Sequence, residues 1–150
     1  MQKVTPFLMF DKGLEEALQF YSGIFKNMKI ENLTKLGGGM VSAGFEIEGQ
    51  KFLAFTGGPH FQFTEAFSIY ISADTQEEID NLYEKLSAGG IKQPCGWVKD
   101  KFGLSWQIIP PILEKYLYDK NQTKAQNVMH AMLQMYKIDI SKLQEAYDKN

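Results

Sequence analysis

Two stretches of this chain echo one another, weakly in identity but in the same architectural setting. Leu14-Glu15-Glu16-Ala17-Leu18-Gln19-Phe20-Tyr21 aligns with Gln76-Glu77-Glu78-Ile79-Asp80-Asn81-Leu82-Tyr83 at an offset of 62 residues. In each copy an extended apolar stretch precedes the segment and further ones follow it. Self-similarity at a fixed spacing means one supersecondary unit used twice, because a single copy cannot bury its apolar face alone. The unit reads β-α-β-β-β. The chain is therefore expected to be α+β, one domain over residues 1–150, with module one at about 1–57, module two at about 64–110 and a helical tail at about 111–150.

The first module begins with a strand over 3–10, where Pro6 points to an edge position or a bulge. Leu14, Ala17, Leu18, Tyr21 and Phe25 then recur at helical spacing. A strand over 28–36 runs into Gly37-Gly38-Gly39. That run lacks the Lys-Ser/Thr and the strand–glycine–helix setting of a phosphate loop, so it reads as a flexible hairpin. Val41, Ala43, Phe45 and Ile47 alternate with polar residues, and Gly49-Gln50 is read as a two-residue turn into Lys51–Thr56. In the second module a strand spans 66–73. Thr75 with Glu78 makes a capping box for a helix carrying Ile79, Leu82, Tyr83 and Leu86, and Gly89-Gly90 end it. Strands near 91–99 and 104–109 follow. Beyond Pro110-Pro111 the pattern is helical, with capping boxes read at Thr123–Gln126 and Ser141–Gln144. Between them Ala125, Val128, Met129, Met132, Leu133 and Tyr136 form a stripe.

Both tryptophans and the single cysteine fall in Cys95–Ile109. Here Asp100-Lys101-Phe102-Gly103 is a turn, and Leu104, Trp106 and Ile108 alternate with Ser105, Gln107 and Ile109. Strand pleating sends those two sets to opposite faces, with Trp106 toward the helix layer and Gln107 away from it. All 16 basic residues are lysine. Without arginine no bidentate guanidinium clamp for phosphate can be built, and a net charge of -2 gives no electrostatic case for nucleic acid. No apolar run approaches the roughly 20 residues of a membrane span, and one cysteine cannot form an intrachain disulfide. Cytoplasm is the expected compartment.

Four stretches carry a family resemblance. They are Gly57-Gly58-Pro59-x-Phe61-x-Phe63-Thr64-Glu65-Ala66-x-Ser68, Gln76-Glu77-Glu78-x-Asp80, Cys95-Gly96-Trp97-x-Lys99-Asp100-Lys101-Phe102-Gly103-x-Ser105-Trp106-Gln107, and Ala131-Met132-x-x-Met135-x-Lys137-x-Asp139-Ile140. With them the chain resembles the PhnB-like branch of the vicinal oxygen chelate superfamily, which includes glyoxalase I, extradiol dioxygenases and bleomycin-resistance proteins. The resemblance implies cupped mixed sheets (the glyoxalase/bleomycin resistance/dioxygenase fold), two cups facing a shared ligand cavity, and a homodimer. Members of this branch are often labelled demethylubiquinone methyltransferase domains. Methyl transfer from S-adenosylmethionine, however, usually calls for a glycine-rich turn after the first strand of a parallel α/β sheet, and the repeat predicts another sheet.

Metal-dependent members take His, Gln or Glu ligands from the first and last strands of each module. Here the windows Lys3–Leu8, Phe52–Gly57 and Ala66–Tyr70 offer none, and only Gln107 stands at such a place. One neutral amide is a poor base for a divalent site, so neither metal nor cofactor is expected. The expected function is binding of a small apolar or aromatic molecule, with Phe55, His60, Tyr70, Cys95, Trp97 and Gln107 as candidate ligand-binding residues. His60, in a Gly-Pro loop, is read either as a group at the cup mouth or as an exposed loop histidine. Cys95 is read as a thiol near Lys99 and Lys101 or as an inert buried one, and His130 as a surface residue. The alternatives are a metal-dependent lyase, isomerase or dioxygenase, and an interaction protein whose pocket its own aromatics fill.

Overall fold

The computed structural model describes residues 2–149. The chain divides into two compact units, the first ending at Phe63 and the second beginning at Thr64. The second unit takes in the helical tail. Each unit holds a four-stranded mixed sheet with the same connectivity. In the first, strands β1 (Phe7–Phe10), β2 (Met28–Gly37), β3 (Met40–Ile47) and β4 (Gln50–Thr56) stand in the order β1-β4-β3-β2. In the second, β5 (Ser68–Ser72), β6 (Ile91–Lys92), β7 (Trp97–Lys99) and β8 (Ser105–Ile109) repeat it as β5-β8-β7-β6. The first and last strands of each unit pair in parallel, and the measured pairs among the others are antiparallel. The helices are α1 (Leu14–Ile24) and α2 (Gln76–Ser87), then α3 (Pro111–Leu117), α4 (Gln122–Leu133) and α5 (Ile140–Asp148) in the tail. Among the described residues no helix is long and apolar enough to cross a membrane.

The repeated segments are the two helices that cover the sheets. Glu15 and Glu16 in α1, and Glu77 and Glu78 in α2, put negative charge in the first turn, where the helix dipole favours it. Leu14, Ala17, Leu18 and Tyr21 are buried, as are Phe10, Phe45 and Ala54 of the first sheet, and Ile79, Leu82, Tyr83 and Leu86 are the buried residues at the matching place in α2. Thr75 caps α2 by accepting from Glu78 N at 3.2 Å; the Glu78 carboxylate reaches back to Asp74 N at 3.1 Å, one residue earlier than a closed capping box would have it.

Several expected boundaries move. The first strand begins at Phe7 rather than at residue 3, and Pro6 lies just before it, its carbonyl accepting from Leu53 N. Because β1 pairs with β4 alone, the edge position expected from Pro6 holds. The turn between β3 and β4 is Glu48-Gly49, not Gly49-Gln50: both residues have positive φ (49° and 85°), and Ile47 pairs with Gln50. A two-residue hairpin needs that handedness at both central positions to match strand twist. The strand expected over 91–99 is split by a turn into β6 and β7. The tail helices are capped by Asn121 and Asp139, each two residues before the capping boxes read from sequence. Asn and Asp rank above Thr as N-caps, and Asn121 Oδ1 here serves both Thr123 N and Lys124 N. Of the expected stripe, Val128 is buried and Met132 is packed against the tail core, while Met129, Leu133 and Tyr136 are exposed; α4 ends before Tyr136.

The tail is docked to its own unit by polar as well as apolar contacts. Ile109, Leu113, Val128, Ile138 and Leu143 form part of one buried cluster. Gln76, at the start of α2, grips the tail backbone like a strand partner, donating to Ile138 O at 2.9 Å and accepting from Ile140 N at 2.8 Å. Cys95 N and Gly96 N donate to the Met135 and Tyr136 carbonyls at 2.9 and 2.7 Å.

Gln76→Ala is expected to cost about 1–3 kcal/mol, since it leaves two partly buried backbone groups without their partner. Urea denaturation reads the loss, and hydrogen exchange at Ile140 should quicken; unchanged exchange there would show that the amide grip is dispensable. Burial pushes the Tyr83 hydroxyl, which donates to Gln93 O at 2.7 Å, up to about 12 from the ordinary 10.0. A raised acid contributes stability that is complete below the unfolded value and is lost as pH climbs through the folded one. Stability should therefore fall from about pH 10 to about pH 12. Circular dichroism of Tyr83→Phe should show a shallower fall over that window.

Candidate functional site

The site is built on the hairpin between β7 and β8. Asp100 is 2% exposed, and a buried carboxylate is tolerated only when hydrogen bonds replace its water. Its Oδ1 accepts from Phe102 N at 2.9 Å and Leu104 N at 3.0 Å, and its Oδ2 accepts from Trp106 Nε1 at 2.9 Å. The first of these is an Asx turn, and Gly103 at φ 91° completes the reversal. Held at its indole nitrogen, Trp106 lies fully buried, and so does Ile108 two residues on.

Alternation then fixes the opposite face. Tyr70 pairs with Gln107, and Gln107 with Trp97, so these three lie side by side in one row across β5, β8 and β7. Gln107 Nε2 donates to Ser68 Oγ at 2.9 Å. In the neighbouring row Ser68 pairs with Ser105, and Ser105 with Lys99. Lys99 Nζ meets the Glu65 carboxylate at 3.1 Å, which also accepts from Gln93 Nε2 at 3.0 Å. The Lys99 hydrogen bond, then that of Gln93, holds the Glu65 carboxyl below the usual range. Tyr70 is about half exposed, and partial burial followed by the charge of Glu114 pushes its hydroxyl above the ordinary value. It is a neutral phenol at physiological pH.

The expected site residues are thus partly assembled. Tyr70, Trp97 and Gln107 come together in one row. Phe55 lies on the open face of the first unit's sheet, in register with Met9 and Ser42 and beside the exposed Phe7 and Leu53. His60 is exposed in the loop after Gly58, and His130 is exposed on α4. Cys95 is not in the row. Its φ of 62° turns it toward the tail, where Sγ lies 3.7 Å from Met132 O. Gly96 follows at φ 82°, and a Cβ there would come within 2.8 Å of Ile109 Cδ1 and 2.9 Å of Ile108 O, so only glycine fits at this entry to β7. Ser68, Ser105 and Lys99 were not singled out as lining residues. The signal was present, since each stands two positions along a strand from one that was.

The donors do not fit a divalent metal. Open-face positions of the first and last strands carry Phe7, Met9, Leu53 and Phe55 in one unit and Ser68, Tyr70, Ser105 and Gln107 in the other. Among the described residues no group of three or more His, Cys, Asp or Glu could hold a metal ion. A cleft of about 480 Å³ elsewhere in the second unit is lined by Gln76, Asp80, Lys137 and neighbours. Within it Asp80 pairs with Lys137 at 3.0 Å and accepts from Gln76 Nε2 at 2.9 Å.

Asp100→Ala should destabilise the protein by about 3 kcal/mol or more, because it strands buried Leu104 N and Trp106 Nε1 without an acceptor. Thermal unfolding reads this, and a loss under about 0.5 kcal/mol, within the range of ordinary surface substitutions, would contradict it.

The family model described as 3-demethylubiquinone-9 3-methyltransferase matches residues 2–109. That range covers both modules and leaves out the tail, including the Ala131–Ile140 stretch. A solved structure described as a putative 3-demethylubiquinone-9 3-methyltransferase, PhnB protein, from Bacillus cereus is 34% identical; the match covers 73% of this chain and 99% of that one, with a TM-score of 0.65. Protein PA1353 from Pseudomonas aeruginosa is 18% identical over 72% of this chain and 96% of its own, at a TM-score of 0.61. The fosfomycin resistance protein FosX from Listeria monocytogenes, solved with Mn(II) and sulfate, is 20% identical over 78% and 98%, at 0.59. No curated protein matches the chain. The chain belongs to the family described as 3-demethylubiquinone-9 3-methyltransferase, the PhnB-like branch of the vicinal oxygen chelate superfamily.

Proposed function

We propose that this protein binds a small apolar or aromatic molecule on the open face of the second unit's sheet, and does so without a resident metal. The observation that carries the reading is the row Tyr70–Gln107–Trp97. Two aromatic side chains flank one amide on the face opposite the buried Trp106 and Ile108, and Tyr70 is half exposed there. Aromatic rings beside a single orienting polar group are what a small-molecule site needs. The absence of arginine argues for a ligand without phosphate. Gln107 takes the place where a metal-binding relative would carry a ligand, and no second base accompanies it in its row.

The activity in the family's description does not fit this site. Methyl transfer from S-adenosylmethionine usually draws on a parallel α/β sheet and a glycine-rich turn after its first strand. Here β1 pairs with β4 in a mixed sheet, and Asp11-Lys12-Gly13 leads into α1. The reading that follows is sequestration or sensing of a ligand.

A library of aromatic metabolites should contain compounds that raise the melting temperature. Trp97→Ala should weaken their binding by about tenfold, or roughly 1.4 kcal/mol. A library that moves nothing would count against binding. Metal analysis of untagged protein should find no stoichiometric transition metal; finding one would overturn the metal-free reading in favour of a metal-dependent lyase, isomerase or dioxygenase.

A further inference from the structure

Among the described residues, two buried side-chain polar atoms have no hydrogen-bond partner in the protein: Ser105 Oγ and Gln93 Oε1. An unpaired buried polar group costs about 1–3 kcal/mol, so chains rarely keep one without a use. Both atoms belong to the same neighbourhood. Ser105 is fully buried and pairs in register with Lys99, whose ammonium meets Glu65, and Gln93 donates its amide to that same Glu65.

Ser105 lies on the face that carries the Tyr70–Gln107–Trp97 row, two residues from Gln107 and opposite Ser68. Ser68 Oγ accepts from Gln107 Nε2, so its proton is not used in that bond. Two hydroxyl donors thus stand next to each other at the edge of an aromatic row. The charges nearby already balance, because Lys99 and Glu65 form a pair. A carboxylate brought here would meet the Glu65 charge and give up its water without gaining a free countercharge. A neutral oxygen acceptor would lose far less on burial and would satisfy the orphaned hydroxyl.

We propose that Ser105, with Ser68, forms a polar subsite that takes a neutral carbonyl oxygen of the ligand, while its aromatic body rests on Trp97 and Tyr70. The subsite rests on the binding function proposed above and names the chemistry of its ligand: an aromatic ketone, amide or ester rather than an aromatic acid or hydrocarbon.

Three probes with one body separate the possibilities: 2-acetonaphthone, 2-ethylnaphthalene and 2-naphthoate, titrated calorimetrically into the full chain. The ketone is expected to bind about tenfold more tightly than the hydrocarbon, a margin of one hydrogen bond to a buried donor. Ser105→Ala should erase that margin and leave 2-ethylnaphthalene unchanged. The same variant should keep or raise the melting temperature, since the hydroxyl it removes has no protein partner. A lower melting temperature would show the hydroxyl to be structurally engaged and would overturn the subsite. Equal binding of ketone and hydrocarbon, or a margin that survives in Ser105→Ala, would also overturn it while leaving aromatic binding intact. Naphthoate binding more tightly than the ketone would overturn the neutral head group. If none of the three binds, the binding function itself fails and the subsite with it.

Discussion

The second unit depends on one buried carboxylate. Asp100 gathers the Phe102 and Leu104 amides and the Trp106 indole N–H into a single turn. Each is a charge-assisted bond in a site shielded from water, where such bonds are at their strongest. The consequence reaches along the strand. Once Trp106 is fixed inward, pleating leaves Ser105 and Gln107 no choice but the other face. A slip of one residue would put the tryptophan outside and the glutamine in the core. The carboxylate thus sets the register of the face on which the ligand is proposed to sit.

The tail gives that face its second support. The two units share a topology, yet the second also carries α3, α4 and α5, which lie outside the matched family range. Their connecting segment bonds to Cys95 N and Gly96 N, at the turn from which Trp97 departs. Gln76, beside the Thr75 cap, holds the same segment by two backbone groups. Trp97 is therefore placed from one side by pairing with β8 and from the other by a turn tied to the tail. The left-handed backbone at Cys95, unusual for a residue with a Cβ, is kept in place by these bonds.

Much of this was legible in the sequence because it follows from periodicity. The repeat at Leu14 and Gln76 gave the β-α-β-β-β order of both halves, and alternation in β3 and β8 put Phe45 and Trp106 on the inward faces. What was not legible depended on competition between adjacent residues. Glu48-Gly49 and Gly49-Gln50 both contain a turn glycine, and the choice rests on which pair of residues takes positive φ. Asn121 and Asp139 outcompete Thr123 and Ser141 for the N-cap, and nearby serines and threonines blur that contest. The direction of the Cys95 thiol depends on hydrogen bonds to residues some 40 positions away in sequence, from Cys95 Sγ and N to the Met132 and Met135 carbonyls, which no local pattern announces. Ser105 was placed on the correct face by alternation alone, but its lack of a partner is visible only in three dimensions.

The chain's two tryptophans report separately on the two faces of one sheet. Trp106 Nε1–H is bonded to Asp100 in the core, whereas Trp97 lies in the proposed binding row. A 15N–1H titration with an aromatic ligand that raises the melting temperature therefore tests the account directly. The Trp97 indole resonance should move with ligand while that of Trp106 stays in place. Movement of Trp106 alone, or of neither, would place the ligand elsewhere and contradict the account.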